Sequence, residues 1–301
     1  MSDERRGLLY VGLAVAAFST SPVLIVWADP MPALIKTWGR LCVAALVVGF
    51  TAWLTLRKHT ASSIPASHSV PGTWYSSPLR FTFYGLVAAL HFFCYIAALD
   101  YTTAAHALAL VYTAPIFVTL FSAFVLREPL RGIQWAGVTI AVIGVAILAG
   151  LEPRMTTTMA FGDLLAVGSA LTFGIYTVAG RYERDRYPLL VYASRVYGSA
   201  ALWLLPLAFL VIPVTPPDSW GLPQVASVVA LGIIPLALGH TLYNAALRRL
   251  HATVVNIIAS QEVTGGILLS LVLLAQVPSF TSLVGALVTL VGIALVIREQ
   301  P

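Results

Sequence analysis

Long apolar stretches alternate with short polar connections along the whole chain. A helix of about 20 apolar residues is long enough to cross the hydrocarbon core of a bilayer. The pattern contains ten such stretches, so it predicts an all-α integral membrane protein with ten transmembrane helices. The predicted spans cover residues 7–28, 31–56, 80–100, 103–126, 131–150, 160–180, 188–211, 221–247, 252–275 and 279–297.

The second half of the chain repeats the first. Residues 97–148 align without a gap with residues 245–296, at an offset of 148, and the earlier spans of each half align at an offset of 155. Because each half has an odd number of spans, the second must enter the membrane from the opposite side. The sequence therefore predicts two inverted five-helix repeats, residues 7–150 and 160–298. Matching pairs are Tyr95 and Tyr243, Phe18 and Phe173, Arg40 and Arg195, Gly137 and Gly285, and Gly144 and Gly292.

Glycine and alanine recur at close spacing in the fifth and tenth spans. Small residues let membrane helices approach closely. We expect these two spans to pack either within each half or at a contact between two copies. The sequence leaves both a monomer and a homodimer open.

Composition and charge support the membrane assignment. Hydrophobic residues make up 59% of the chain and charged residues only 10%, whereas soluble domains have about 25% charged residues. With the amino terminus inside, 13 basic residues of the connections face the cytoplasm and only Arg154 faces outward. This asymmetry predicts a multi-pass protein of the inner membrane with both termini cytoplasmic. The same asymmetry explains the net charge of +5 without a nucleic-acid partner. We expect the protein to be surrounded by membrane lipid.

The sequence contains no pattern typical of an enzyme. It has no Ser-His-Asp order in a loop, no glycine-rich phosphate loop and no His/Cys cluster with metal-ligand spacing. Cys42 and Cys94 both lie in apolar stretches. The predicted cytoplasmic connections are too short for a nucleotide-binding domain. We therefore expect no catalytic activity, no cofactor and no metal.

Short motifs give the chain a family resemblance. They are Arg40 and Arg195 early in spans 2 and 7, residues 112–115 (YTAP) with 126–130 (LREPL), and residues 260–262 (SQE). With the paired halves, they make the chain similar to the EamA branch of the drug/metabolite transporter superfamily. The resemblance implies a central cavity lined by spans 1–4 and 6–9, with spans 5 and 10 outside it. The chain departs from the family pattern at Val263 and at Gln276-Val277.

Glu262 is the clearest candidate for a functional side chain. It lies ten residues beyond Ala252, which at about 1.5 Å per residue is about 15 Å deep, near the bilayer midplane. A charge there costs at least about 2.5–3.5 kcal/mol on insertion scales. Glu262 is therefore either a cavity carboxylate that receives an amine or a proton, or part of a buried ion pair or a hydrogen bond between helices. Gln261 and Asn256 add polarity to the same span.

Other polar and aromatic residues at depth complete the candidate site. Arg40 has a counterpart in Arg195, which favours a bracing role, whereas Lys36 aligns with Val191 and is the better candidate for charge recognition. Deep histidines can carry protons or simply pack. Any deep aromatic ring that faces the centre can stack on a substrate. The candidate substrate-binding residues are Glu262, Gln261, Lys36, Arg40, Trp38, Tyr95, Tyr112, Tyr176, Tyr243, His91, His240 and Asn256.

These residues indicate a secondary transporter that exports a small-molecule substrate, most simply an amino acid, by alternating access. A carboxylate and cations in one cavity suit a zwitterion, and deep aromatic residues suit an aromatic or hydrophobic side chain. Exporters of aromatic amino acids are the members of the resembled family closest in character. A carrier of multiple drugs or cations, a carrier of nucleotide sugars or organic phosphates, and a non-transporting membrane enzyme or scaffold stay open. Proton coupling and facilitated diffusion are also both open.

Overall fold

The computed structural model describes residues 2–61, 77–102, 107, 110–149, 156–211, 220–275 and 280–298, and within these residues the chain forms helices and no strand. Parts of the predicted fourth span (103–106 and 108–109) and Gln276-Val277 lie outside the described residues. The helices are α1 (Asp3–Trp27), α2 (Ala33–Ala61), α3 (Pro78–Tyr101), α4 (Ala114–Leu126), α5 (Gly132–Ala149), α6 (Thr157–Tyr182), α7 (Leu189–Val211), α8 (Leu222–Leu247), α9 (Ala252–Leu274) and α10 (Phe280–Arg298).

Seven of the described helices are long and apolar enough to cross a membrane: α1, α2, α3, α6, α7, α8 and α9. Shorter apolar helices lie within α4, α5 and α10. Large apolar side chains, including Leu46, Leu202 and Phe209, are exposed on the surface of the bundle, where lipid tails would surround them. The protein is therefore a multi-pass membrane protein.

Helices from the first half of the chain pack mainly against helices from the second half. Helix α3 packs on α6 and α7, α2 packs on α7 and α8, and α1 packs on α8. The core between them is rich in alanine and aromatic residues. Because the two halves share one core, neither half buries its apolar face alone.

Helices α5 and α10 form the most extensive pair in the bundle. A Cβ atom on Gly144 would lie 2.4 Å from the backbone nitrogen of Thr289, and one on Gly292 would lie 2.4 Å from that of Ala141. Only glycine lets the backbones approach this closely. These two contacts correspond to each other at the 148-residue offset. The close packing therefore joins the two halves of one chain, which corrects the expectation that each of these spans packs within its own half.

Helices α4 and α9 end in the same way. Arg127 and Ala275, the residues that follow them, have positive φ angles of 56° and 54°, in the left-handed region that L-residues rarely adopt. Each donates its backbone N–H to a serine carbonyl five residues earlier, Ser122 and Ser270 respectively. Arg127 and Ala275 are 148 residues apart, and so are the two serines.

Arginine side chains gather at one end of the bundle, which we call the basic end. It contains Arg80, Arg181, Arg184, Arg186 and Arg248, at the start of α3, the end of α6 and the residues after α6 and α8. These residues occupy the connections that the sequence analysis placed on the cytoplasmic side.

Candidate functional site

Helix geometry is irregular around one region in the centre of the bundle. Helix α1 is interrupted at Ser19-Thr20, helix α9 at Ser260-Gln261, and the regular part of α4 begins at Ala114 after a turn at Tyr112-Thr113. Helix α8 is a π-helix over Gly232–His240. Interrupted and π-helical segments free backbone groups and are common at functional sites in membrane proteins.

Local sequence explains the interruptions. Pro22 and Pro115 lie in the first turn of the helical segments that follow two of the breaks, and Pro235 lies inside the π-helix. Proline has no N–H to continue the hydrogen-bond ladder. Hydroxyl groups at the breaks also bond back to the preceding turn: Ser19 Oγ donates to the Val15 carbonyl at 2.7 Å, and that carbonyl also accepts the Ser19 N–H. Three further bonds of this kind are Thr20 to Ala17, Thr113 to Leu110 and Ser260 to Ile257.

A buried cavity lies among these interruptions. It combines a few polar groups with a mostly aromatic and aliphatic wall, as is usual for small-molecule sites. Its lining residues are Phe18, Ser21, Arg40, His91, Phe92, Tyr95, Val111, Tyr112, Ala114, Pro115, Phe173, Pro235, Leu236, His240, Asn256, Ala259, Ser260 and Glu262.

Both signs of charge face this cavity. Glu262 is the first residue of the helical segment after the break in α9, and the Tyr112 hydroxyl donates a hydrogen bond to its carboxylate. Arg40 is 4% exposed, attracts Glu262 electrostatically, and lies with its guanidinium 4.7 Å from the Phe92 ring centroid. Within the described residues, Arg40 Nε has no hydrogen-bond partner. The arginine therefore keeps a donor that a bound anion can use.

Aromatic rings form much of the wall. The His91 ring stacks on Phe173 at 4.5 Å with an interplanar angle of 19°, and His240 lies 4.5 Å from Phe18 and edge-on to Phe92 at 4.9 Å. The Ser169 hydroxyl and carbonyl oxygens lie 3.0 and 3.1 Å from His91 Nδ1. His91 is therefore held in place by neighbours, which suits a packing role.

A layer of hydroxyl and amide groups lies between the cavity and the basic end. Asn244 Nδ2 donates to the Tyr176 hydroxyl at 2.7 Å. The Tyr243 hydroxyl pairs with Thr177 at 2.8 Å and accepts from Asn256 Nδ2 at 3.3 Å. All five side chains are at most 2% exposed. Most of the layer lies about one helical turn beyond the cavity residues Phe173 and His240, toward the basic end.

A largely buried ion pair lies beyond the layer, at the basic end. Arg181 Nε and Nη2 reach Glu128 Oε1 at 2.9 and 2.8 Å, and Arg181 Nη1 donates to the Leu247 carbonyl at 2.8 Å. Glu128 follows α4 in the first half, whereas Arg181 and Leu247 end α6 and α8 in the second. The ion pair therefore joins the two halves.

Seven of the twelve predicted site residues line the cavity: Glu262, Arg40, Tyr95, Tyr112, His91, His240 and Asn256. The other five do not. Lys36 forms an ion pair with Asp29, Trp38 packs against the core, and Tyr176 and Tyr243 belong to the layer below. Gln261 lies in the break of α9.

The cavity wall also contains residues outside the predicted site, among them Phe18, Phe92, Phe173 and Ser260. Phe18 and Phe173 are a matched pair at the 155-residue offset, and Arg40 also belongs to such a pair. A counterpart in the other half predicts a bracing role for Arg40, yet Arg40 lines the cavity. Both halves contribute to one cavity, so residues at matching positions of the two halves can both face it. The match between Phe18 and Phe173 was therefore the sequence signal that could have identified these two residues as part of the site.

A multi-pass helical bundle whose interrupted helices surround a mostly apolar cavity with a few polar and charged groups has the architecture of a membrane transporter. Among the described residues, no group of three or more His, Cys, Asp or Glu side chains could hold a metal ion. The chain belongs to the EamA-like transporter family, which it matches over residues 5–150 and 160–298.

Individual relatives carry exporter names. The chain is 26% identical over 308 residues to a probable terminal-alkyne amino-acid exporter of Streptantibioticus cattleyicolor, covering 95% of each protein. It is 32% identical over 162 residues to the aromatic amino acid exporter YddG of Ancylobacter novellus, covering 53% of this chain and 54% of the relative. A crystal structure of a protein at 23% identity superposes with a TM-score of 0.77 over 96% of this chain and 95% of the other. That likeness supports the fold.

Proposed function

We propose that this protein is a secondary transporter that exports amino acids with apolar or aromatic side chains across the inner membrane. The observation that carries the proposal is the presence of a cation, Arg40, and a carboxylate, Glu262, in one cavity walled by aromatic rings. The α-carboxylate of a zwitterion would pair with Arg40 and its ammonium group with Glu262. The rings of Phe18, Phe92 and Phe173 would contact the side chain. Two relatives named as amino acid exporters support the same substrate class.

The proposed topology has ten spans in two inverted repeats, with the basic end and both termini in the cytoplasm. Three paired features support it. The left-handed residues Arg127 and Ala275 match at the 148-residue offset. So do the reciprocal contacts of α5 and α10, and the breaks of α4 and α9 occupy the same position of the repeat. The concentration of arginines at one end supports the orientation.

Alternating access requires the contacts at the basic end to separate and reform. The Glu128–Arg181 ion pair bridges the halves there. At the repeat offsets, the aligned residues are Gln276 and Val26, neither of which carries a charge. At the other end, a hydrogen bond from Thr102 Oγ1 to Asp163 Oδ1 at 2.8 Å joins the halves, and only one of these two groups is charged. We propose that the resting state is closed to the cytoplasm.

Flux through purified protein in proteoliposomes tests the substrate assignment. We expect counterflow of radiolabelled aromatic or hydrophobic amino acids but not of quaternary amines. Arg40→Gln should raise KM for the amino acid by about 10- to 150-fold, because a hydrogen bond to a charged group contributes about 1.5–3 kcal/mol. Lys36→Gln is the matched control, since Lys36 pairs with the half-exposed Asp29 away from the cavity. A larger effect at Lys36 than at Arg40 would contradict this site.

The same assay separates the alternatives. A carrier of cations would transport quaternary amines, and Arg40 argues against it because a buried guanidinium repels a cation. A carrier of organic phosphates or nucleotide sugars would need more cations, and Arg40 is the only Lys or Arg among the described lining residues. Absence of all flux would favour a non-transporting protein.

Energy coupling has its own test in the same vesicles. If Glu262 carries a proton during transport, Glu262→Gln should abolish the pH dependence of counterflow. Unchanged pH dependence in this variant would exclude that role and leave facilitated diffusion.

A further inference from the structure

A second concave site lies on the outside of the bundle at the basic end, in a groove between α3, α4 and α6. It shares no lining residue with the central cavity. Val125 and Tyr182 are 54% and 52% exposed there, so the groove opens to the surroundings of the protein. Its walls are aliphatic and aromatic, and they include Tyr84, Phe121, Val125, Ile175, Val178 and Tyr182.

Small side chains and a change of helix geometry form this groove. Ala179 and Val178 of α6 line the groove together with the bulkier Tyr84 of α3 and Phe121 of α4. Helix α4 changes from α-helix to a π-turn after Phe121, at Ser122–Leu126. An apolar groove on the outside of a membrane helix bundle is chemically suited to bind the acyl chain of a lipid.

Charges at the mouth of the groove are unbalanced. The Tyr84 hydroxyl donates to Glu183 Oε1 at 2.7 Å, and the same oxygen accepts from Arg80 Nη1 at 3.1 Å. Arg186 Nη1 reaches Glu183 Oε2 at 2.9 Å, and its guanidinium lies 5.8 Å from the Tyr182 ring centroid. Two arginines therefore share one carboxylate beside two tyrosines that line the groove.

The exposed part of this cluster is cationic. The side chains of Arg80 and Arg186 are 45% and 46% exposed, whereas that of Glu183 is fully buried. Two positive charges and one negative charge leave a net charge of +1. Basic pockets of this kind between membrane helices bind anionic lipid headgroups.

We propose that the groove binds one acyl chain of an anionic phospholipid, with the phosphate of that lipid on Arg80 and Arg186. The groove supplies the apolar contact for the tail, and the arginine cluster supplies the charge that distinguishes an anionic headgroup from a zwitterionic one. On the orientation proposed above, this lipid belongs to the cytoplasmic leaflet. The site is separate from the transport cavity. The proposal of a lipid site therefore does not depend on the identity of the transported substrate.

Native mass spectrometry of the full chain tests the proposal. Detergent-purified protein is equilibrated with equal amounts of phosphatidylglycerol and phosphatidylcholine, and retained lipid is counted. We expect one retained phosphatidylglycerol. Arg80→Gln should weaken its retention about fivefold, because one cation is removed from an anionic headgroup. Val125→Trp should abolish retention by filling the groove.

Matched controls separate this site from general effects. Arg5→Gln removes an exposed arginine from the amino-terminal turn of α1, and Leu202→Trp enlarges an exposed residue of α7, which is 68% exposed. Both should retain phosphatidylglycerol like the wild type. Thermal unfolding in detergent checks that the variants fold. We expect both to fold, because the Val125 side chain faces outward and because Glu183 keeps its bonds to Arg186 and Tyr84 when Arg80 is replaced. Equal retention of phosphatidylglycerol by all five proteins, or equal retention of both lipids by the wild type, would overturn the proposal.

Discussion

Replacing Glu128 with glutamine should open the cavity to the cytoplasm more often. Glu128 Oε1 accepts a hydrogen bond from Arg181 Nε at 2.9 Å and lies 2.8 Å from Arg181 Nη2. The side chains are only 13% and 10% exposed, so water screens the pair weakly. Because Glu128 and Arg181 belong to different halves, the pair stabilises the state in which the basic end is closed. Arg181 keeps its bond to the Leu247 carbonyl in the variant.

The size of the effect follows from the lost interaction. A hydrogen bond between charged groups contributes about 1.5–3 kcal/mol, and glutamine restores only its neutral part. If the pair forms only in the closed state, losing it raises the population of the open state by about 10- to 150-fold. This holds while the open state remains the minor one.

Thiol labelling measures that population. In a background with Cys42→Ser and Cys94→Ser, Ser260→Cys places one thiol in the cavity wall, where Ser260 is 3% exposed. The initial rate of labelling by a membrane-impermeant maleimide is measured in inside-out vesicles. Glu128→Gln should raise this rate by about 10- to 150-fold, whereas Glu4→Gln, at an exposed position in the first turn of α1, should leave it unchanged. Equal rates in Glu128→Gln and its parent, with equal thermal stability, would refute the reasoning.

Two further predictions concern stability, measured by thermal unfolding in detergent. Gly144→Ala should destabilise the protein by about 1–3 kcal/mol, since the new Cβ would lie 2.4 Å from backbone of α10. Gly168→Ala, where an added Cβ would have open space around it, should be neutral or stabilising by up to about 1 kcal/mol; equal losses at both glycines would contradict the packing of α5 on α10. Ala275→Gly should stabilise the protein by about 0.5–1 kcal/mol, because glycine relieves the left-handed φ angle of 54° at some cost in chain entropy. A loss of stability in this variant would indicate a different end to α9.

Several elements of the fold could be predicted from hydropathy. The expected spans 80–100, 188–211 and 252–275 correspond closely to Pro78–Tyr101, Leu189–Val211 and Ala252–Leu274. The EamA family was identifiable from short motifs and the repeat, and the family match confirms it. Hydropathy did not reveal the breaks in α1 and α9, because it averages side-chain polarity and is insensitive to which backbone hydrogen bonds form.

The site was less predictable than the fold. Lys36 and Arg40 share a helix face at the i, i+4 spacing, yet Arg40 lines the cavity while Lys36 pairs with Asp29. Spacing places two side chains on one face of a helix, but the neighbouring helices decide what each one meets. Comparing the halves also directed attention to unshared residues, whereas Phe18 and Phe173 are shared and both lie in the cavity wall.

The sequence by itself determined that this is a membrane protein, where most of its helices run and which family it belongs to. These properties depend on the number and order of apolar residues, because those residues set the free energy of transferring each segment from water into lipid. Only the tertiary structure decided which side chains meet: Arg40 with Phe92 at the cavity, Glu128 with Arg181 at the basic end, and α5 with α10. Such contacts join residues far apart in the chain, and they depend on helix rotation and on interruptions of the backbone that packing and hydrogen bonding select.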